Sequence, residues 1–268
     1  RLLVEIIDAI RLELPRSFPI IVRLDGEEIN IKNGLKSSES IQIAKSIESK
    51  VDAIHVSSYA NPASGADFTK APLNHKKEGF VRVTSLIRDA VKIPIIAVGR
   101  IDPDRADNYI SQGKFNFLAM GRKLLADPDL PKKLIKNEPK TIKPCHYSYE
   151  CVSRIFLNGQ MVCASDVGLG KKEKEHSIKN LAIIGAGPAG LELAVQAANR
   201  KIHVSLYEKQ SFIGGNLIGA AIIYEPYEKL LNYYQESIKN DFIDVHFNKE
   251  IELNDLHDKF FDNQMLVL

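Results

Sequence analysis

The hexapeptide Gly185-Ala186-Gly187-Pro188-Ala189-Gly190 constrains the fold of this chain more than any other stretch. It follows an apolar run, Asn180 to Ile184, that reads as a strand, and it opens a helical run from Pro188 to about Ala198. Gly185 permits a tight turn, Gly187 lets the backbone approach a pyrophosphate, and Gly190 lets helix and strand pack closely. The helix N-terminus presents N–H groups and a positive dipole end to that phosphate. A second strand, His203 to Tyr207, ends at Glu208, close to the ~20-residue spacing at which a carboxylate accepts hydrogen bonds from ribose hydroxyls. Such a carboxylate repels a 2′-phosphate. A helix from about Tyr227 to Lys239 and a strand at Ile243 to Phe247 extend this βαβ unit.

The preceding stretch has a different rhythm. Apolar residues recur at helical spacing from Leu2 to about Leu14, and Pro15 and Pro19 break the pattern ahead of the strand-like Ile20 to Leu24. The unit returns as helix Glu39 to Ser49 with strand Val51 to Val56, then as helix Phe80 to Val91 with strand Ile93 to Val98. It returns again as helix Asp104 to Gln112 with strand Phe115 to Met120, and a last helix follows Asp127-Pro128. Four strands alternating with helices imply a parallel sheet covered by helices. Each of the last two strands runs into a Gly-Arg pair, Gly99-Arg100 and Gly121-Arg122. In a (β/α)8 barrel the loops after successive late strands commonly hold a phosphate, because glycine exposes backbone N–H groups there and arginine pairs with phosphate oxygens. Arg23, near the end of the first strand, points to the same C-terminal face, where it can contact a bound ring system. Surface ion pairs are the alternative use of such arginines.

Between these regions, 139 to 170 breaks the rhythm and holds every cysteine: Cys145, Cys151 and Cys163, with Ser148 midway between the first two. Three clustered thiols in a chain with no others suit an iron–sulfur cluster, for which four thiolates are usual. Zinc with His146, or structural thiols, are the alternatives. Lys171 to Glu175 then form a charged linker.

Composition narrows the function classes. Hydrophobic residues make up 44% and charged residues 26%, with 36 Lys and Arg against 34 Asp and Glu. That balance argues for a globular chain with a sizeable core and against a basic nucleic-acid surface. No apolar run approaches the ~20 residues needed to cross a bilayer. An odd count of three cysteines does not make a secreted disulfide framework, so the expected location is cytoplasmic. The chain opens at Arg1 inside an amphipathic helix and is read as a piece of a longer protein.

The segments Pro94 to Ile101, Met120-Gly121-Arg122 with Ala126-Asp127-Pro128, Pro144-Cys145, Cys151 through Phe156, and Gly185 to Gly190, in this order, resemble one family. They are similar to the long members of the old yellow enzyme superfamily: 2,4-dienoyl-CoA reductase, enoate reductase and trimethylamine dehydrogenase. The resemblance implies an α/β chain: the C-terminal half of an FMN-binding (β/α)8 TIM barrel (1–140), an iron–sulfur cysteine segment and linker (141–175), and the start of a Rossmann-like FAD-binding domain (176–268). It implies Arg23 facing the FMN ring and Gly99, Arg100, Gly121 and Arg122 at its phosphate. Cys145, Cys151 and Cys163 become ligands of a 4Fe-4S cluster, while Gly185, Gly187, Ala189 and Glu208 bind the ADP half of FAD, with Gly214-Gly215 nearby. The family has cysteine where Ser148 stands.

The implied activity is an NAD(P)H-dependent flavin oxidoreductase that passes electrons through FAD and the cluster to FMN for reduction of an activated C=C bond in a small enoate or enoyl thioester. Amine oxidation of the trimethylamine dehydrogenase type, and a non-catalytic nucleotide-binding remnant, are the alternatives. No catalytic acid is assigned; Tyr59 and His75 are the side chains near the second strand suited to proton transfer. Oligomeric state is not legible.

Overall fold

A computed structural model of the chain describes residues 1–29, 31–60, 77–171, 177–252 and 265–267. His75 and the charged linker from Lys172 to Glu175 lie outside the described residues, as does the side chain of Tyr59. The chain divides into two compact units, Arg1–Gly121 and Arg122–Leu268.

In the first unit, helix α1 (Leu2–Glu13) precedes four strands, β1 (Ile21–Ile29), β2 (Ala53–Ala60), β3 (Ile95–Ala97) and β4 (Phe117–Leu118). Helices α2 (Ser37–Ile47), α3 (Val81–Ala90) and α4 (Pro103–Ser111) connect them. The strands pair in chain order and are all parallel, the βα arrangement of a barrel wall. Alternation along β1 sets the two faces of the sheet. Val22 and Leu24 are buried with Ile54, Val56, Ile87 and Ile95 under the helices, whereas Ile21 is 56% and Phe117 58% exposed. Register places Arg23 opposite His55, His55 opposite Ile96, and Ile96 opposite Phe117, in one row across the sheet.

The second unit begins with two short helices, α5 (Arg122–Ala126) and α6 (Leu130–Ile135), a 3-10 turn at Pro139–Thr141, and helix α7 (Glu150–Phe156). Then come β5 (Asn180–Ile184), α8 (Pro188–Asn199), β6 (His203–Tyr207), α9 (Asn216–Ile223), α10 (Glu225–Ser237), β7 (Ile243–His246) and β8 (Met265–Val267). The parallel sheet runs β7-β6-β5-β8. The chain therefore reverses direction across the sheet at β5, which places a topological switch point at that strand's C-terminal end. Leu181, Ile183, Leu191, Val204, Leu206 and Tyr234 are among its buried core residues. No helix among the described residues is long and apolar enough to cross a membrane.

Strands β3, β4 and β7 are shorter than the sequence suggests. Pro94 has no N–H to donate, so regular β3 starts at Ile95, although the Pro94 carbonyl still accepts from the Ile54 amide at 3.1 Å. Helices α5, α7 and α9 and strand β8 have no counterpart in the sequence reading.

Candidate functional site

The fingerprint loop is tightly built. Gly185 has φ +96°, a left-handed value that favours glycine, and its amide donates to the Tyr207 carbonyl at 2.8 Å. A Cβ on Gly190 would lie 2.0 Å from the Gly185 carbonyl oxygen, so only glycine fits. Gly187 is the N-cap of α8 and Pro188 its first residue, where the missing proline N–H costs nothing. Glu208 is buried, and its two carboxylate oxygens accept from the amides of Ala186 at 2.8 Å and Gln210 at 2.9 Å. Each oxygen keeps a further lone pair for a ribose hydroxyl. The Ala186 carbonyl accepts from the Gly214 amide at 2.8 Å, so the Gly214-Gly215 turn closes against the fingerprint.

The three cysteines are free, half-buried thiols that line one small cavity together with Ser148, Tyr147 and Arg122. Tyr147 (φ +56°) and Tyr149 (φ +63°) are both left-handed, an outlying conformation for bulky residues, and they flank Ser148. The Arg122 guanidinium lies 5.1 Å from the Tyr147 ring centroid and 4.8 Å from that of Tyr149. Burial pushes the Cys145 and Cys151 thiols up, and the positive charge of Arg122 works against that rise in both. Cys163 interacts electrostatically with each of them. Among the described residues no three His, Cys, Asp or Glu side chains converge tightly enough to hold a single metal ion, so the zinc alternative has no site there. A multi-iron cluster spreads its ligands around a cavity instead of onto one point, and three thiols around a shared cavity fit that demand.

The strap that carries Cys145 is fixed from several sides. The Lys143 amide donates to Asp127 at 2.8 Å, and Ser165 donates to the Pro144 carbonyl at 2.8 Å. The Lys143 ammonium makes a buried ion pair with Glu192 of α8 at 2.6 Å, and Tyr234 donates to the other Glu192 oxygen at 2.9 Å. Burial, with the Glu192 charge next, pushes the Tyr234 hydroxyl well above its ordinary range. No local pattern announces this network, because its members come from three separate elements.

A groove of about 1120 Å³ runs along α8 from Pro188 and Ala189 to Arg200. Its other walls are Asn216, Leu217 and Ala220 of α9, Tyr227 and Tyr234 of α10, and the strap at His146 and Ala164. His146 and Ala164 also line the thiol cavity. The groove is thus bordered both by the fingerprint helix and by residues of the thiol site.

In the first unit, the Arg23 guanidinium lies 3.4 Å from the Ser57 hydroxyl, which donates to Asp25 at 2.7 Å. His55, in register with Arg23, has its pKa lowered by burial and then by the Arg23 charge, and its buried Nε2 has no hydrogen-bond partner among the described residues. Gly99 (φ +114°) and Arg100 (φ +56°) form a left-handed turn after β3, and a Cβ on Gly99 would come within 2.6 Å of the Phe80 ring. Gly121 follows the neighbouring strand, whose continuation bonds to β3 through the Ala119 amide and the Ala97 carbonyl at 2.8 Å. The space around Gly121 is open.

Residues 1–141 match the model of the NADH:flavin oxidoreductase / NADH oxidase family. The chain belongs to this family. Residues 183–233 match an NAD(P)-binding Rossmann-like domain. Among curated family relatives, the metal reductase of Desulforamulus reducens is 32% identical over 228 residues, 81% of this chain and 33% of the relative. The cinnamate reductase of Clostridium sporogenes is 26% identical over 265 residues, 91% of this chain and 40% of the relative. A solved 2-naphthoyl-CoA reductase superposes with a TM-score of 0.85 at 25% identity, covering 96% of this chain and 40% of that one. The chain therefore spans well under half the length of these relatives. The family is one of flavin-dependent oxidoreductases, and its fold, a barrel-type flavin domain joined to a Rossmann-like domain, is the one found here.

Proposed function

We propose that the chain is part of an NAD(P)H-dependent flavin and iron–sulfur oxidoreductase that delivers electrons from FAD through a cluster to FMN, for reduction of an activated C=C bond. The observation that carries this reading is the shared wall: His146 and Ala164 border both the thiol cavity and the groove lined by the fingerprint helix. A dinucleotide whose pyrophosphate sits at the N-terminus of α8 can lay its redox-active end in that groove, beside the thiols. Bound flavins and cluster supply the redox chemistry; the protein supplies position, charge and exclusion of water.

On this reading Gly185, Gly187 and Ala189 receive the ADP half of FAD, and Glu208 holds both the glycine loop and the ribose. Cys145, Cys151 and Cys163 hold the cluster, with the Ser148 hydroxyl lining the same cavity. Arg23 faces the FMN ring, while Gly99, Arg100 and Gly121 serve its phosphate; the Arg122 guanidinium, expected there as well, borders the thiol cavity. The segmentation into 1–140, 141–175 and 176–268 belongs to the same proposal, as does a cytoplasmic location. The similarity to cinnamate and 2-naphthoyl-CoA reductases supports an enoate or thioester substrate; amine oxidation is the alternative, supported by the similarity to dimethylamine dehydrogenase.

Titration of FAD and of ADP into the chain, followed by calorimetry, tests the reading. Ala220→Trp adds bulk on the α9 wall of the groove and leaves every residue of the glycine turn unchanged. The expected result is at least a tenfold loss of FAD affinity with ADP affinity retained. Equal affinities of the variant and the parent chain for FAD would remove the groove from the account.

A further inference from the structure

Arg122 heads the short helix α5, and its guanidinium lies over both Tyr147 and Tyr149. Those two tyrosines adopt left-handed backbone conformations on either side of Ser148, inside the loop from Cys145 to Cys151. Lys123 adds a second cation, its ammonium 5.5 Å from the Tyr147 ring centroid. Arg122, Tyr147 and Tyr149 line the same cavity as the three thiols. An arginine held against two aromatic faces is oriented and partly desolvated, which strengthens its field on nearby charges.

We propose that Arg122, held by Tyr147 and Tyr149 at the wall of the thiol cavity, is the positioning residue that sets the local charge there and raises the reduction potential of the cluster the thiols hold. The inference rests on the cluster reading given above. Three thiolates concentrate negative charge in a half-buried cavity, and reduction adds one more electron to it. A fixed positive charge at the cavity wall stabilises the reduced form more than the oxidised one. Cluster potentials respond to net charge in this way. Arginine suits the post because it stays charged and stacks on aromatic rings, whereas lysine keeps the charge but not the planar stacking.

The test is the midpoint potential of the anaerobically reconstituted cluster, read by EPR in a redox titration of the full chain and of Arg122→Gln, Arg122→Lys and Tyr149→Leu. The expected result is a more negative potential in Arg122→Gln, a smaller shift in Arg122→Lys, and a shift of the same sign in Tyr149→Leu, where no charge changes. Loss of the cluster in Arg122→Gln with retention in Arg122→Lys would support the same role for the charge. Unchanged potentials in all three variants, or loss of the cluster in both Arg122 variants, would overturn it. A parent chain that assembles no cluster at all would remove the underlying cluster reading, an outcome distinct from an unshifted potential.

Discussion

At the scale of single residues, the fingerprint turn depends on one position that admits no side chain. Gly190 is that position, since any side chain there meets the Gly185 carbonyl at 2.0 Å. Gly190→Ala must push α8 away from the glycine turn, an overpacking that typically costs about 1–3 kcal/mol. The expected outcome is a lower thermal midpoint with at least a tenfold weaker ADP binding by calorimetry. His55 is a second case. Burial and the Arg23 charge depress its pKa below the unfolded value of 6.5, so the folded state prefers neutral imidazole. Its contribution is complete above about pH 6.5 and is lost as pH falls through the lower folded pKa. Chemical denaturation of the chain and of His55→Gln across pH 5 to 8 should show the parent losing stability on acidification more steeply than the variant. Parallel profiles would contradict this.

At the scale of elements, the Lys143–Glu192 pair joins the thiol strap to α8, with side chains 7% and 13% exposed. Removing one partner of a buried pair leaves a stranded charge and costs about 3–5 kcal/mol, whereas an apolar replacement of both is often neutral. Lys143→Met should therefore destabilise the chain far more than Lys143→Met combined with Glu192→Leu, as measured by urea unfolding.

What was legible in the sequence follows the same division. Strands β5 and β6 could be read to the residue because each apolar run is bounded by a polar start and a functional turn. The barrel strands were legible as elements, and their ends were set by Pro94 and by pairing geometry. Helix α9 was not legible: its sequence NLIGAAII lacks amphipathic spacing, and Ile222 and Ile223 are 84% and 88% exposed. The cysteines stood out by their isolation in the composition. The clasp of Arg122 between Tyr147 and Tyr149 did not, because cation–aromatic contacts between separate segments leave no periodic trace.

At the scale of the whole molecule, the family assignment and the fold rest on different stretches of the chain. The flavin-domain match ends at 141, and the Rossmann-like match begins at 183. The cysteine-bearing segment lies between the two, and it is where the account is most exposed to test. On the proposed electron path, this segment carries the relay between the two flavins. Iron and acid-labile sulfide per chain, determined after anaerobic reconstitution and paired with EPR of the reduced protein, measure this directly. The account predicts several irons and a matching number of sulfides per chain, with a cluster signal that disappears when Cys151 is replaced by Ala. A chain that takes up no iron and sulfide while binding ADP normally would contradict it, leaving a nucleotide-binding flavoprotein segment without an electron relay.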